Sequence, residues 1–99
     1  MEKIKVSELE GDALHWAKAK AEGVAFLTDS KRSTDWADIA EQEDIGVHPA
    51  YSSGWQATYE KDSNLISTWG ETPFKALARC FIAKKLGFVI EIPATYINN

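Results

Sequence analysis

Two hydrophobic periods run along this chain, and they divide it into elements. Ile4 and Val6 alternate with Lys3 and Lys5, the period-two pattern of a short strand near 3–6. Ser7-Glu8-Leu9-Glu10 then has the form of a capping box, a hydroxyl at the N-cap and a carboxylate three residues on. It predicts a helix over about 8–22 with Leu9, Ala13, Trp16 and Ala17 on one face, widened by Leu14 and Ala21, and with Gly23 as its left-handed stop. Gly11 lowers helix propensity near the start and predicts a loose first turn. Residues 24–27 read as a short strand or buried connector, and Asp29-Ser30-Lys31-Arg32 as a turn.

A second helix is predicted over about 34–44. Ser33, Thr34 and Asp35 supply cap groups and a negative charge at its positive end. Trp36, Ile39 and Ala40 mark its inner face, while Asp38, Glu41, Glu43 and Asp44 point elsewhere. Gly46 and Pro49 end it, with Val47 in a brief strand. Residues 55–60 and 65–69 form a hairpin, for which two registers compete. A two-residue loop at Asp62-Ser63 pairs Tyr59 with Ile66 and sets Leu65 and Trp69 opposite Glu60 and Gln56. A three-residue loop with Asn64 left-handed gathers Trp55, Ala57, Tyr59, Leu65 and Trp69 on one face, and this register is preferred for its three clustered aromatics. Thr72 at the N-cap and Pro73 at the first helical position then open a third helix over about 73–86. Its buried stripe is Phe74, Leu77, Ala78, Phe81 and Ile82; Lys84 and Lys85 suit its C-terminal dipole, and Gly87 closes it before a strand over 88–92. The fold class is therefore α+β in one domain spanning 1–99. A small antiparallel or mixed sheet packs with three helices on one or both faces.

Composition adds exclusions. With 99 residues, 44% of them hydrophobic and 26% charged, the chain has globular values, and a net charge of −4 argues against a protein that coats nucleic acid. A single cysteine, Cys80, excludes an intramolecular disulfide and a multi-cysteine metal site. Charges at the N-terminus leave no signal-peptide pattern, and no apolar run reaches the ~20 residues of a membrane span, so a soluble chain in a reducing cytoplasm is expected. The four tryptophans, at 16, 36, 55 and 69, are heavy for this length; helix and hairpin patterns place three in the core and leave Trp36 beside the acidic stretch.

Three stretches together resemble a known family. They are Lys5-Val6-Ser7-Glu8-Leu9-Glu10-Gly11 through Glu22-Gly23, Ser33-Thr34-Asp35-Trp36-Ala37, and Gly70-Glu71-Thr72-Pro73 through Arg79-Cys80 to Lys85-Leu86-Gly87. In this order, over most of the chain, they look like the NinX family from the nin region of temperate lambdoid phages and related prophages. The chain departs from that pattern at Asp38-Ile39, where relatives usually carry a glycine pair, and at His15, where they tend to have Asp. The resemblance implies a phage-encoded accessory protein in the cytoplasm of a bacterial host, with no substrate or cofactor attached.

The residues themselves offer little catalysis. His15 and His48 stand in no metal-ligand spacing, Cys80 sits mid-helix beside Phe81, Ser53-Gly54 lacks the flanks of a nucleophile elbow, and no glycine-rich phosphate loop occurs. A non-enzymatic protein without metal or cofactor is expected. Its candidate ligand or partner surface comprises Ser33, Thr34, Asp35, Trp36, Asp38, Glu41, Asp44, Trp69, Thr72 and Arg79. No Lys or Arg falls between Arg32 and Lys61, an interval rich in acids, whereas 72–88 holds Lys75, Arg79, Lys84 and Lys85 and no acid. The acidic second helix suits a basic surface on a bacterial host protein, engaged in host takeover or counter-defence. The helix starts at Ser33 and Thr72, with tryptophan faces and Arg79, suit a nucleotide or nucleic acid instead. A homodimeric assembly module is the third reading, against a monomer. The plain structural reading of the same residues is that Ser33 and Thr72 are caps, the tryptophans core, the acids a solvated face, and Arg79 a snorkelling side chain or the partner of a second-helix acid.

Overall fold

A computed structural model describes residues 2–28, 40–93 and 95. In chain order these form β1 (Glu2–Lys5), a 3-10 turn (Val6–Glu8), α1 (Gly11–Thr28), a helical stretch α2 (40–42), β2 (Gly46–Pro49), β3 (Trp55–Lys61), β4 (Asn64–Gly70), α3 (Pro73–Leu86) and β5 (Val89–Ile92). The strands make two antiparallel sheets, β1-β5 and β2-β3-β4. The fold is α+β, as its residue patterns predict.

α3 is the centre of the molecule. Thr72 is extended and its hydroxyl accepts from Lys75 N–H at 3.1 Å, Pro73 follows, and Gly87 closes the helix, so both ends match their local signals. One side of α3 meets α1, where Ala13, Ala17 and Ala21 recur every fourth residue and are buried, letting two backbones approach. The other side meets β3 and β4. Contact all round buries every residue from Ala76 to Ala83, including Arg79, whereas Phe74, expected in the buried stripe, lies on the first turn and is exposed. Phe81, Leu9, Ile82, Ile92, Val6 and Cys80 form the driest part of the core.

Several expectations are corrected. Residues 24–27 are helix rather than strand, because α1 continues through Gly23 to Thr28. Nothing terminates it there: Gly23 does not take the left-handed conformation, and a glycine in mid-helix costs only about 1 kcal/mol. The capping box at Ser7 does not form either. Residues 6–8 make a 3-10 turn that buries Val6 and points Leu9 into the core, and α1 starts only at Gly11. Burial of two large side chains outweighs one cap, worth about 1 kcal/mol.

The hairpin takes the other register. Asp62 and Ser63 both have positive φ, 52° and 71°, which makes a two-residue type I′ loop and pairs Tyr59 with Ile66, Glu60 with Leu65 and Gln56 with Trp69. The face against α3 is thus Trp55, Ala57, Tyr59, Ile66, Thr68 and Gly70. Leu65 and Trp69 join Gln56, Thr58 and Glu60 on the opposite face. Two tertiary contacts enforce this choice. The Thr68 hydroxyl donates to the Ala76 carbonyl at 2.8 Å, and a Cβ at Gly70 would collide with the backbone N of Ala76. A slip of one residue would turn both outward.

Candidate functional site

Of the expected surface residues, Ser33, Thr34, Asp35, Trp36 and Asp38 lie outside the described residues. Glu41 and Asp44 are exposed at the end of α2, where Asp44 N–H donates to the Glu41 carbonyl. Their neighbour Glu43, expected to point outward with them, is buried. Its carboxylate lies 2.8 Å from Lys84 Nζ and 3.0 Å from Lys85 Nζ, its carbonyl accepts from Lys84, and the Lys84 ammonium sits 4.0 Å above the Tyr59 ring. The turn after α2 and the basic C-terminal end of α3 are therefore joined.

Arg79 is not a surface group. It is 3% exposed; Nε and Nη2 both donate to the Leu9 carbonyl, at 3.2 and 2.7 Å, and Nη1 donates to the Trp69 carbonyl at 2.7 Å, with the Glu10 carboxylate 3.7 Å away. Its planar fork ties the segment before α1 to the end of β4. Thr72 is spent as a cap. Trp69, expected in the core, is 47% exposed on the outer face of β4; its indole N–H donates to the Ser53 carbonyl at 2.8 Å. Gly54 permits this, because any Cβ there would run into the indole ring. Trp69 and Arg79 meet only through the Trp69 carbonyl. Cys80 lies within the core, and burial pushes its thiol up to about 11, with the Thr68 hydroxyl and the Lys84 charge pulling the other way. A neutral thiol at physiological pH is a poor nucleophile.

What the structure does assemble is an apolar surface around Phe88. A groove of about 320 Å³ is lined by Lys5, Val6 and Ser7 on one side, Ser67, Thr68 and Trp69 of β4 on the other, and Phe88 and Val89. A second groove, about 380 Å³, runs from Phe88 past Leu65, Ile66, Asn64, Tyr59 and Lys84. Phe88 belongs to both, and Leu65, Trp69, Phe88 and Val89 are each about half exposed. Apolar residues clustered on a surface mark interaction sites more often than isolated ones do. Sequence reasoning missed Leu65, Phe88, Val89 and Lys5. The signal was present at Asp62-Ser63, since the two-residue loop fixes Leu65 and Trp69 outward together.

Among the described residues no cluster of three metal-ligating side chains occurs, and no helix is long and apolar enough to cross a membrane. These features define a small α+β protein whose central helix lies between α1 and the β2-β3-β4 sheet, with an apolar surface left open between that sheet and the β1-β5 pair. The family model described as Bacteriophage P22, NinX matches residues 25–85, and the chain belongs to that phage protein family. The match covers the second of the resembling stretches and the third as far as Lys85. No curated protein and no solved structure matches the chain.

Proposed function

We propose that the protein is a non-enzymatic phage or prophage accessory protein that works in the cytoplasm of the bacterial host by binding a host protein, in host takeover or counter-defence. The observation that carries this reading is the contiguous apolar surface at Leu65, Trp69, Phe88 and Val89 on a chain otherwise rich in surface charge. Exposed Glu41 and Asp44 supply charge that steers encounter with a basic partner. For the nucleotide or nucleic-acid alternative, Arg79, the cation expected beside Trp69, is committed to backbone carbonyls, and this weakens that reading.

Affinity capture from host lysate with mass spectrometry tests the proposal. The wild-type chain is expected to retain a defined host protein that Phe88→Asp and Leu65→Asp release, while circular dichroism shows both variants folded. Charge reversal at Glu41 and Asp44 is expected to slow capture without abolishing it. Identical captured sets from wild type and both apolar-surface variants would sink the proposal.

A further inference from the structure

The backbone beside the apolar groove is as informative as its side chains. In a hairpin with a two-residue loop, the pair flanking the loop exchanges both hydrogen bonds and every second pair does so thereafter. Lys61–Asn64, Tyr59–Ile66, Ala57–Thr68 and Trp55–Gly70 are then the bonded pairs. The N–H and C=O groups of Leu65, Ser67 and Trp69 consequently point away from β3. The outer half of β3 meets β2 at Thr58 and Gln56, in phase with this pattern. Among the described residues, β4 has no strand on its other side, and the outward carbonyl of Trp69 is the one with a partner, held by Arg79. The outward strand edge thus runs from Leu65 to Ser67 and ends at the Trp69 N–H.

This edge lacks the usual protection. Its outward-facing stretch, Leu65-Ile66-Ser67-Thr68-Trp69, contains no charge, no proline and no bulge. The 320 Å³ groove lies along it, with Phe88, Val89 and Val6 as further walls. Among the described residues, Lys5 is the charged residue lining that groove, Lys84 the one lining the next, and no carboxylate lines either. On a chain of net charge −4, that is a local reversal of sign.

From these observations we infer that the β4 edge is a strand-addition site for an extended segment of a partner protein, one with alternating apolar side chains and a carboxylate at the end that reaches Lys5. The inference rests on the binding function proposed above and names its surface. Residues of the incoming strand opposite Ile66 and Thr68 point into the groove against Val6, Phe88 and Val89. Residues opposite Leu65 and Ser67 lie on the outer face beside Trp69, and Arg79 ends the ladder by occupying the last carbonyl. A second copy of this chain is a poorer occupant. Its β4 would bring β3 behind it, into the wall formed by Lys5–Ser7 and Phe88–Val89.

Selection from a displayed library of random short peptides tests this without knowing the partner. The enriched peptides are expected to carry apolar residues at every second position and Asp or Glu at one end. N-methylation of the alternate amides that face β4 is expected to weaken a selected peptide by about tenfold or more, and methylation of the intervening amides to leave it bound. Ser67→Pro removes one outward N–H while sparing the ladder to β3, and should abolish binding that Ser67→Ala retains. Lys5→Glu should weaken peptides in proportion to their acidic end. If Ser67→Pro does not fold, the N-methylation series decides alone. Enriched peptides with a helical spacing of apolar residues, indifference to N-methylation, or no enrichment overturns the inference, as does a wild-type dimer in light scattering that Ser67→Pro dissociates. The lysate experiment separates the two proposals. Capture lost in Phe88→Asp but uncompeted by a selected peptide leaves host binding standing and removes strand addition. Peptide binding by a chain that captures nothing does the reverse.

Discussion

Arg79 illustrates how a single side chain can be half read from sequence. Its position on the third helix, three residues before Ile82, places it at the border of an apolar stripe, and that much is local. Its acceptors are not local: Leu9 stands seventy residues away and Trp69 on another element. A buried guanidinium is tolerable only because three donors find carbonyls. Lysine keeps the charge but cannot reach both carbonyls with a fork. Arg79→Lys should therefore cost about 2–3 kcal/mol, seen as a fall in Tm of roughly 10–20 °C in calorimetry. An unchanged Tm would show that the fork contributes no stability. Cys80 carries the opposite lesson, since its mid-helix setting beside Phe81 already marks it as core. Its thiol titrates near 9.0 when exposed and near 11 when folded. Between those values the unfolded chain has lost a proton that the folded chain keeps, so stability is intact below about pH 9 and falls as pH rises towards 11. Denaturant titrations across that range should show a decline that Cys80→Ala reduces, and the native thiol should resist alkylation until the chain unfolds.

Elements whose signals are local were legible, and those chosen by a neighbour were not. Thr72, Pro73 and Gly87 bracket α3 within one or two residues because capping depends on the adjacent backbone alone. The hairpin register depends instead on which face can meet α3, and clustering aromatics was the wrong criterion. Thr68 and Gly70, small residues with one hydroxyl, fit the helix where Leu65 and Trp69 would not. The same holds for α1: its inner face of Ala13, Leu14, Ala17 and Ala21, with half-buried Trp16 beside it, is readable from period, whereas Ser7 does not set its start and Gly23 does not end it. The loop offers a direct check on the register. Asp62 and Ser63 both sit at positive φ, where Asn and Gly are easier than Asp and Ser. The double change Asp62→Asn with Ser63→Gly should stabilise the protein by about 0.5–1 kcal/mol in denaturant titrations, and Asn64→Gly should not. The reverse order of effects would restore the three-residue loop.

At the scale of the whole molecule, the separation of acidic and basic stretches along the chain becomes an internal bond. Glu43, from the acidic interval, is 3% exposed and holds Lys84 and Lys85 of the basic helix, while Lys75 faces Glu71 at 3.7 Å and Arg79 lies 3.7 Å from Glu10. The cations of α3 are thus each partnered within the chain, Lys75 at the surface and the other three at least partly buried. What charge the described residues leave exposed at and just after α2 is Glu41 and Asp44. The candidate site escaped sequence reasoning for this reason: it draws on β1, β4 and the start of β5, and no one stretch of chain carries its signature. The clamp at Glu43 also predicts how the molecule fails. Glu43→Gln keeps shape and removes the charge that two lysines share, leaving their mutual repulsion. The expected cost is about 2–4 kcal/mol, towards the lower end because both lysines keep some contact with water. A buried pair is screened little, so the loss should persist when Tm is measured at high salt, where a surface pair would fade. Adding Lys85→Met to Glu43→Gln should recover part of the loss, because it relieves the repulsion, whereas Lys85→Met alone should be destabilising. That inversion of sign between the two backgrounds distinguishes a clamp joining the turn after α2 to α3 from three charges that merely lie close together.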